Sequence, residues 1–173
     1  MVLKLTGAVI VIINGFLLGN YYGMQIARRL SALRQIYLCM QLLKHEIVYQ
    51  HATLSEAFSH VKRHSIEQMS DWLSCLLAGI QIRNGTRFDE IWNEALEVLK
   101  RDTALTQSDL EVLSEFGSNL GYLNLSLQEE RITYYMILLE KRITEIEQIL
   151  VIRRRLYRTA GILGGCFVVL VLF

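Results

Sequence analysis

The chain has 173 residues, long enough for one domain with a sizeable core. A net charge of +1 argues against a dedicated nucleic-acid binder, and 52% hydrophobic content is high for a protein that meets only water. Three widely spaced cysteines, Cys39, Cys75 and Cys166, with no CxxC pair, rule out a disulfide framework or a zinc-ligand pattern. They read as reduced cysteines of a cytosolic environment, with Cys166 in lipid. Proline is absent, the eleven glycines are used sparingly, and alternating β-branched runs are few, so the predicted class is all-α.

Charge is unevenly placed. Lys4 is the one charge in residues 1–23, and residues 24–64 hold six basic and two acidic groups. Residues 65–130 hold four basic and twelve acidic groups, and residues 131–173 hold seven basic and three acidic. Basic ends around an acidic middle fit a domain whose ends touch anionic lipid while its centre faces away.

Leu5 to Ala27 is a run of twenty-three uncharged residues. At ~1.5 Å per residue it reaches about 34 Å, enough for a hydrocarbon core of about 30 Å. It is long for a signal peptide, and no small-x-small cleavage site closes it, so the run reads as a retained membrane helix, 1–27. Gly15, Gly19 and Gly23 make a GxxxGxxxG stripe down one face. Small residues four apart let helices approach closely in lipid, but glycine is also simply frequent in membrane helices, and both readings stand.

Residues 28–158 read as a cytoplasmic helical bundle. An apolar stripe of Leu30, Leu33, Tyr37, Met40, Leu43 and Ile47 continues the first helix. Helix starts are signalled at Thr53-x-x-Glu56, Ser65-x-x-Gln68, Thr86-x-x-Asp89, Thr106-x-x-Asp109 and Ser126-x-x-Glu129, with an Asn84-Gly85 turn between. The expected helices are 3–50, 54–63, 66–82, 88–100, 107–121 and 127–172. Short connections force antiparallel neighbours, hence a membrane-anchored antiparallel bundle of about six helices.

The last helix carries an apolar face of Leu127, Ile132, Tyr135, Met136, Leu139, Ile143, Ile146, Leu150 and Leu156. A collar of Arg153, Arg154, Arg155 and Arg158 follows, and 159–173 is uncharged. Those fifteen residues reach only about 22 Å, so this membrane helix spans only with help from Leu156 and Tyr157, local thinning, or an end among the far headgroups. Gly161 and Gly165 form a second small-residue pair, able to pack on the first within or between chains. Both arginine collars lie on the side of 28–158, which puts that part in the cytoplasm and both termini outside.

Chemistry is thinly represented. His45-Glu46-Ile47-Val48-Tyr49 lacks the second histidine of HExxH. Glu56, His60 and His64 share a face, but three ligands on one short helix leave no tetrahedral closure; a solvated polar face is the expected role. Glu46 and Tyr49 read as hydrogen-bonding groups of the core, and Trp92 as a core anchor. Gly117 and Gly121, four apart, admit a close neighbour, or Gly121 ends the helix. Nothing supplies a nucleophile, base and oxyanion donor together, and no cofactor or metal site is expected. Glu90, Glu94 and Glu97 lie on one helix, with Glu90 and Glu94 on a shared face: a partner-facing surface or a solubilising one.

Several stretches taken together resemble a known family. They are Leu42-Leu43-Lys44-His45-Glu46-Ile47-Val48-Tyr49, Thr53-Leu54-Ser55-Glu56-Ala57-Phe58, Glu90-Ile91-Trp92 and Phe116-Gly117-Ser118-Asn119-Leu120-Gly121. Leu156-Tyr157-Arg158 running into Gly161-Ile162-Leu163-Gly164 completes the set. Their order and spacing, more than any one motif, resemble the stage III sporulation protein AB family over nearly the whole chain. Asn124 departs from it where an acidic residue is expected.

The resemblance implies a non-enzymatic part in the channel-like complex linking mother cell and forespore during endospore formation. It also implies a mother-cell membrane location around the forespore and likeness to the platform protein of type II secretion and type IV pilus systems, with its six-helix cytoplasmic bundle. Implied partners are the secretion ATPase-like stage III sporulation protein AA, other subunits of the complex, the membrane and further copies of the chain. No nucleic acid is implied. The competing functions are a membrane-anchored adaptor, enzyme or small pore-former unrelated to secretion. The missing catalytic set counts against the enzyme, and the large bundle between two short membrane runs counts against the pore.

Overall fold

The computed structural model describes the backbone of residues 2–65, 67–82, 85–120 and 125–172. Its described side chains are those of 20–65, 69–82, 85–120 and 127–150, with 7, 17 and 159. All regular structure among them is helical: α1 (Val2–Val48), α2 (Leu54–His64), α3 (Glu67–Ile82), α4 (Phe88–Asp102), α5 (Gln107–Leu120) and α6 (Leu125–Leu172). The order and bounds follow the sequence expectation to within two residues, because stripes and caps are local signals.

Two of the expected caps form as drawn. Thr53 accepts from the Glu56 N–H, while the Glu56 carboxylate accepts from the Thr53 N–H at 2.9 Å and from its hydroxyl at 2.8 Å. Those bonds hold the Glu56 carboxyl below the usual carboxylate range. At the start of α5, Asp109 accepts from the Thr106 N–H at 2.9 Å and from its hydroxyl at 2.7 Å.

Ser65 closes α2, its hydroxyl and N–H both donating to Lys62 O, as a Ser beside the free carbonyls of a last helical turn can. Ile66 and the Gln68 side chain, the rest of the start expected for α3, lie outside the described residues. α4 starts one residue past the expected cap: Arg87 holds the cap position without a side-chain cap bond, and its guanidinium grips Asp89 at 3.1 and 2.8 Å. Gly85 in the preceding turn has φ +97°, a conformation that suits glycine.

The chain divides into two compact units, Met1–Leu30 with Thr144–Phe173, and Ser31–Ile143. In the first, Gly23 is buried while Tyr21, Tyr22 and Met24 are exposed. Gly15, Gly19, Gly161 and Gly165 lie outside the residues whose surroundings are described. Among the described residues, no helix is long and apolar enough to cross a membrane. Most side chains of the runs 5–27 and 159–173 fall outside that set.

In the second unit, α2 packs on α3, α3 on α4 and α4 on α5, as short connections require. Leu33, Ile36, Leu43 and Ile47 of α1 are fully buried, as are Ile132, Tyr135 and Leu139 of α6. The expected α6 stripe fails at one end, where Leu127 is 43% exposed. Leu127 stands five residues before Ile132, about 140° around the helix, which takes it off the buried face. The core centres on Trp92. Its ring lies 5.5 Å from Phe116, 5.6 Å from Trp72, 5.9 Å from Phe88 and 6.0 Å from Phe58, and Phe116 meets Tyr135 edge-on at 5.4 Å.

Candidate functional site

Side chains of the Ser31–Ile143 unit sort into groups that hold helices together and groups that face outward. Trp92 belongs to the first group. Its Nε1–H donates to Leu113 O at 2.7 Å, joining α4 to α5. Gly117 lies directly over the ring: a Cβ there would stand 2.0 Å from Trp92 Cδ1 and 2.2 Å from Cγ. The close approach read for this glycine is realised. Gly121 lies outside the described residues.

Glu46 also ties helices. Its carboxylate meets His60 Nδ1 at 3.1 Å, linking α1 to α2. Tyr49, expected beside it as a core hydrogen-bonder, is instead 67% exposed, with its ring against His45 at 5.6 Å. α1 ends at Val48, so Tyr49 falls one residue past the last turn and leaves the buried face. The Glu56, His60 and His64 face is divided among local partners: Glu56 caps α2, His60 pairs with Glu46, and His64 Nδ1 contacts His60 O at 2.9 Å. Among the described residues, no group of three or more His, Cys, Asp or Glu could hold a metal ion.

One ion pair has no counterpart in the sequence reading. Asp109 is fully buried, and Arg142 of α6 reaches it at 2.8 Å while its second nitrogen donates to Ser108 at 3.1 Å. The capping pattern pointed to Asp109 but not to its partner thirty-three residues away. At the other side of α6, Lys44 of α1 donates to Thr133 at 2.9 Å and sits 3.5 Å from Glu129. Burial first, and then the Glu115 carboxylate, push the Tyr135 phenol up from its ordinary range, while Asn119 donates to its oxygen at 3.4 Å.

Glu90, Glu94 and Glu97 are all exposed. Glu97 lines an open groove between α4 and α5, while Glu90 and Glu94 are not among its walls. Glu111 and Glu115 of α5 stand across from Glu97 in that groove. Sequence reasoning missed these two, although their spacing of four on a predicted helix was the available signal.

The comparisons agree with this architecture. The family model described as stage III sporulation protein AB matches residues 4–173. Stage III sporulation protein AB of Bacillus subtilis (strain 168) is 25% identical over 174 residues, covering 98% of this chain and 99% of that protein. A solved structure of a stage III sporulation protein AB has the same fold, with a TM-score of 0.65 and 24% identity over 72% of this chain and 97% of that one. With six helices among its described residues and one family model matching it from residue 4 to residue 173, the chain belongs to the stage III sporulation protein AB family, and its role is in sporulation.

Proposed function

We propose that the protein is a non-enzymatic membrane platform. It holds a helical bundle in the mother-cell cytoplasm, within the channel-like, secretion-related complex that links mother cell and forespore. The observation that carries this reading is the placement of arginine. Each uncharged terminal run has its basic collar, Arg28, Arg29 and Arg34 or Arg153, Arg154, Arg155 and Arg158, on the side of the intervening chain. The positive-inside rule then keeps 28–158 in the cytoplasm, with both termini outside. Two further observations support it: α1 and α6 each run without a break through their collars, and the two terminal stretches fall in one compact unit. We further propose that the two small-residue stripes, Gly15, Gly19 and Gly23 with Gly161 and Gly165, pair within one chain.

The platform's partners are the secretion ATPase-like stage III sporulation protein AA and other subunits of the complex, with self-association at the membrane. It uses no cofactor and no nucleic acid. The test has two arms. A tagged full chain is recovered from sporulating-cell membranes; co-purification of the ATPase-like subunit is expected, and a membrane-bound chain that brings down no subunit of the complex overturns the platform. Ser70→Cys, in a background lacking the native cysteines, is then treated with an impermeant thiol reagent. Intact cells are expected to leave it unlabelled, and labelling reverses the topology.

A further inference from the structure

We infer that the groove between α4 and α5 is a docking site for a basic amphipathic helix of a partner protein. The inference rests on the platform reading and specifies where and with what chemistry the bundle is gripped. Asn93, Leu96, Glu97 and Lys100 form one wall, spaced by three and four along α4. Leu110, Glu111, Ser114 and Glu115 form the other, with Gln107 and Ser118 at its ends. The groove has a volume of about 400 Å³. From Gln107 to Ser118 it runs about 16 Å, three turns of a guest helix.

Leu96 and Leu110, nearly buried, lie at its base, and the Ser114 hydroxyl donates to Asn93 Oδ1 at 2.6 Å, tying the two walls together. The groove is thus held at a fixed width before any guest arrives, which lowers the ordering cost of binding.

Charge selects the guest. Three carboxylates, Glu97, Glu111 and Glu115, line the groove against one cation, Lys100, which stands 3.7 Å from Glu97. Glu111 has no side-chain partner among the described residues. Glu111 and Glu115 are four apart on α5, so their Cβ atoms stand about 6 Å apart on one face. A guest with Arg or Lys at i and i+4 over a seam of Ala and Leu places one cation on each and lays its apolar face on Leu96 and Leu110. An acidic or uniformly polar helix meets like charge with no compensating burial.

The probe is a fluorescein-labelled amphipathic peptide of about twelve residues, three helical turns, with Arg at i and i+4 and a photo-crosslinker in its apolar seam. It is titrated into the full chain in non-ionic detergent at low salt. Binding is expected, with crosslinks on α4 and α5. Glu111→Lys with Glu115→Lys is expected to weaken it about tenfold or more and to admit the matching peptide with Glu in place of Arg. Glu90→Lys with Glu94→Lys, an equal charge change elsewhere on α4, is expected to leave it within about twofold. No binding, equal binding by the groove variant and wild type, equal loss in both variants, or crosslinks elsewhere overturns the site.

A chain that fills the groove with a second copy also overturns it, and shows itself by excluding the probe and falling in mass when Glu111 and Glu115 are reversed. Each of these failures leaves co-purification of the complex untouched, so the groove and the platform are judged separately.

Discussion

Gly117→Ala is the sharpest perturbation of the bundle, because helix propensity and packing predict opposite signs. On an isolated helix, alanine in place of glycine stabilises by about 1 kcal/mol. In this protein the added methyl would stand 2.0, 2.2 and 2.4 Å from Cδ1, Cγ and Nε1 of Trp92. These are atoms of a rigid ring, 1% exposed, with Phe58, Phe88, Trp72 and Phe116 around it. Restoring ordinary contact requires the ring or α5 to move by about 1.4 Å.

A shift of that size breaks the 2.7 Å bond from Nε1 to Leu113 O and leaves a buried donor unpaired. Overpacking costs about 1–3 kcal/mol and the orphaned donor about 1–3 kcal/mol, so the net loss after the propensity gain is about 3 kcal/mol. At about 2–4 °C per kcal/mol for a chain of this size, melting should fall by about 6–12 °C. Far-UV circular dichroism of the full chain in non-ionic detergent measures it. Trp92→Leu in the same background should recover at least about 1 kcal/mol relative to additivity, since it removes the obstacle. A melting temperature unchanged or raised in Gly117→Ala would refute the argument, because propensity would then outweigh the contact.

The remaining expectations are smaller in scope. Arg142→Met strips the guanidinium from the fully buried Asp109, and about 3 kcal/mol should be lost in the same melt; full stability would show that the two Thr106 bonds suffice. Burial pushes the Cys39 thiol up to about 11, so it stays protonated at pH 8; iodoacetamide mapped by mass spectrometry should modify the partly exposed Cys75 first and Cys39 only on unfolding. Thr53→Ala should cost about 1 kcal/mol through the lost cap. The Glu56 carboxyl, held low in the fold by Thr53, contributes stability above its unfolded pKa that disappears as pH falls through its folded value. Carbon-13 NMR should therefore show the Glu56 titration moving up only part of the way in Thr53→Ala, which removes the hydroxyl bond and keeps the stronger bond from the backbone N–H.

The resemblance in the sequence proved sound where it concerned family and fold. Its order of motifs identified the same family that the comparisons identify across residues 4–173. Residue roles were less legible. Glu46 was rightly set at the edge of the core, but its partner His60 lies on the next helix, and no spacing rule connects them. Tyr49 was misplaced because the stripe that carries Leu43 and Ile47 inward ends with the helix at Val48. Glu90, Glu94 and Glu97 looked like one surface because they share a helix. All three are exposed, and of them Glu97 lines the groove between α4 and α5.

Local pattern alone determined the six helices seen among the described residues, where each begins to within two residues, and which stripe of α1 turns inward. Periodicity and caps act over one or two turns, so they can be read without knowing what a helix will meet. The tertiary structure decided that Asp109 is an ion-pair partner as well as a cap, that Gly117 makes room for Trp92, and that Glu97, Glu111 and Glu115 line one groove. Each depends on the relative rotation and height of two packed helices. Those are set by the fit of many side chains at once, and no residue carries them in its own neighbourhood in sequence.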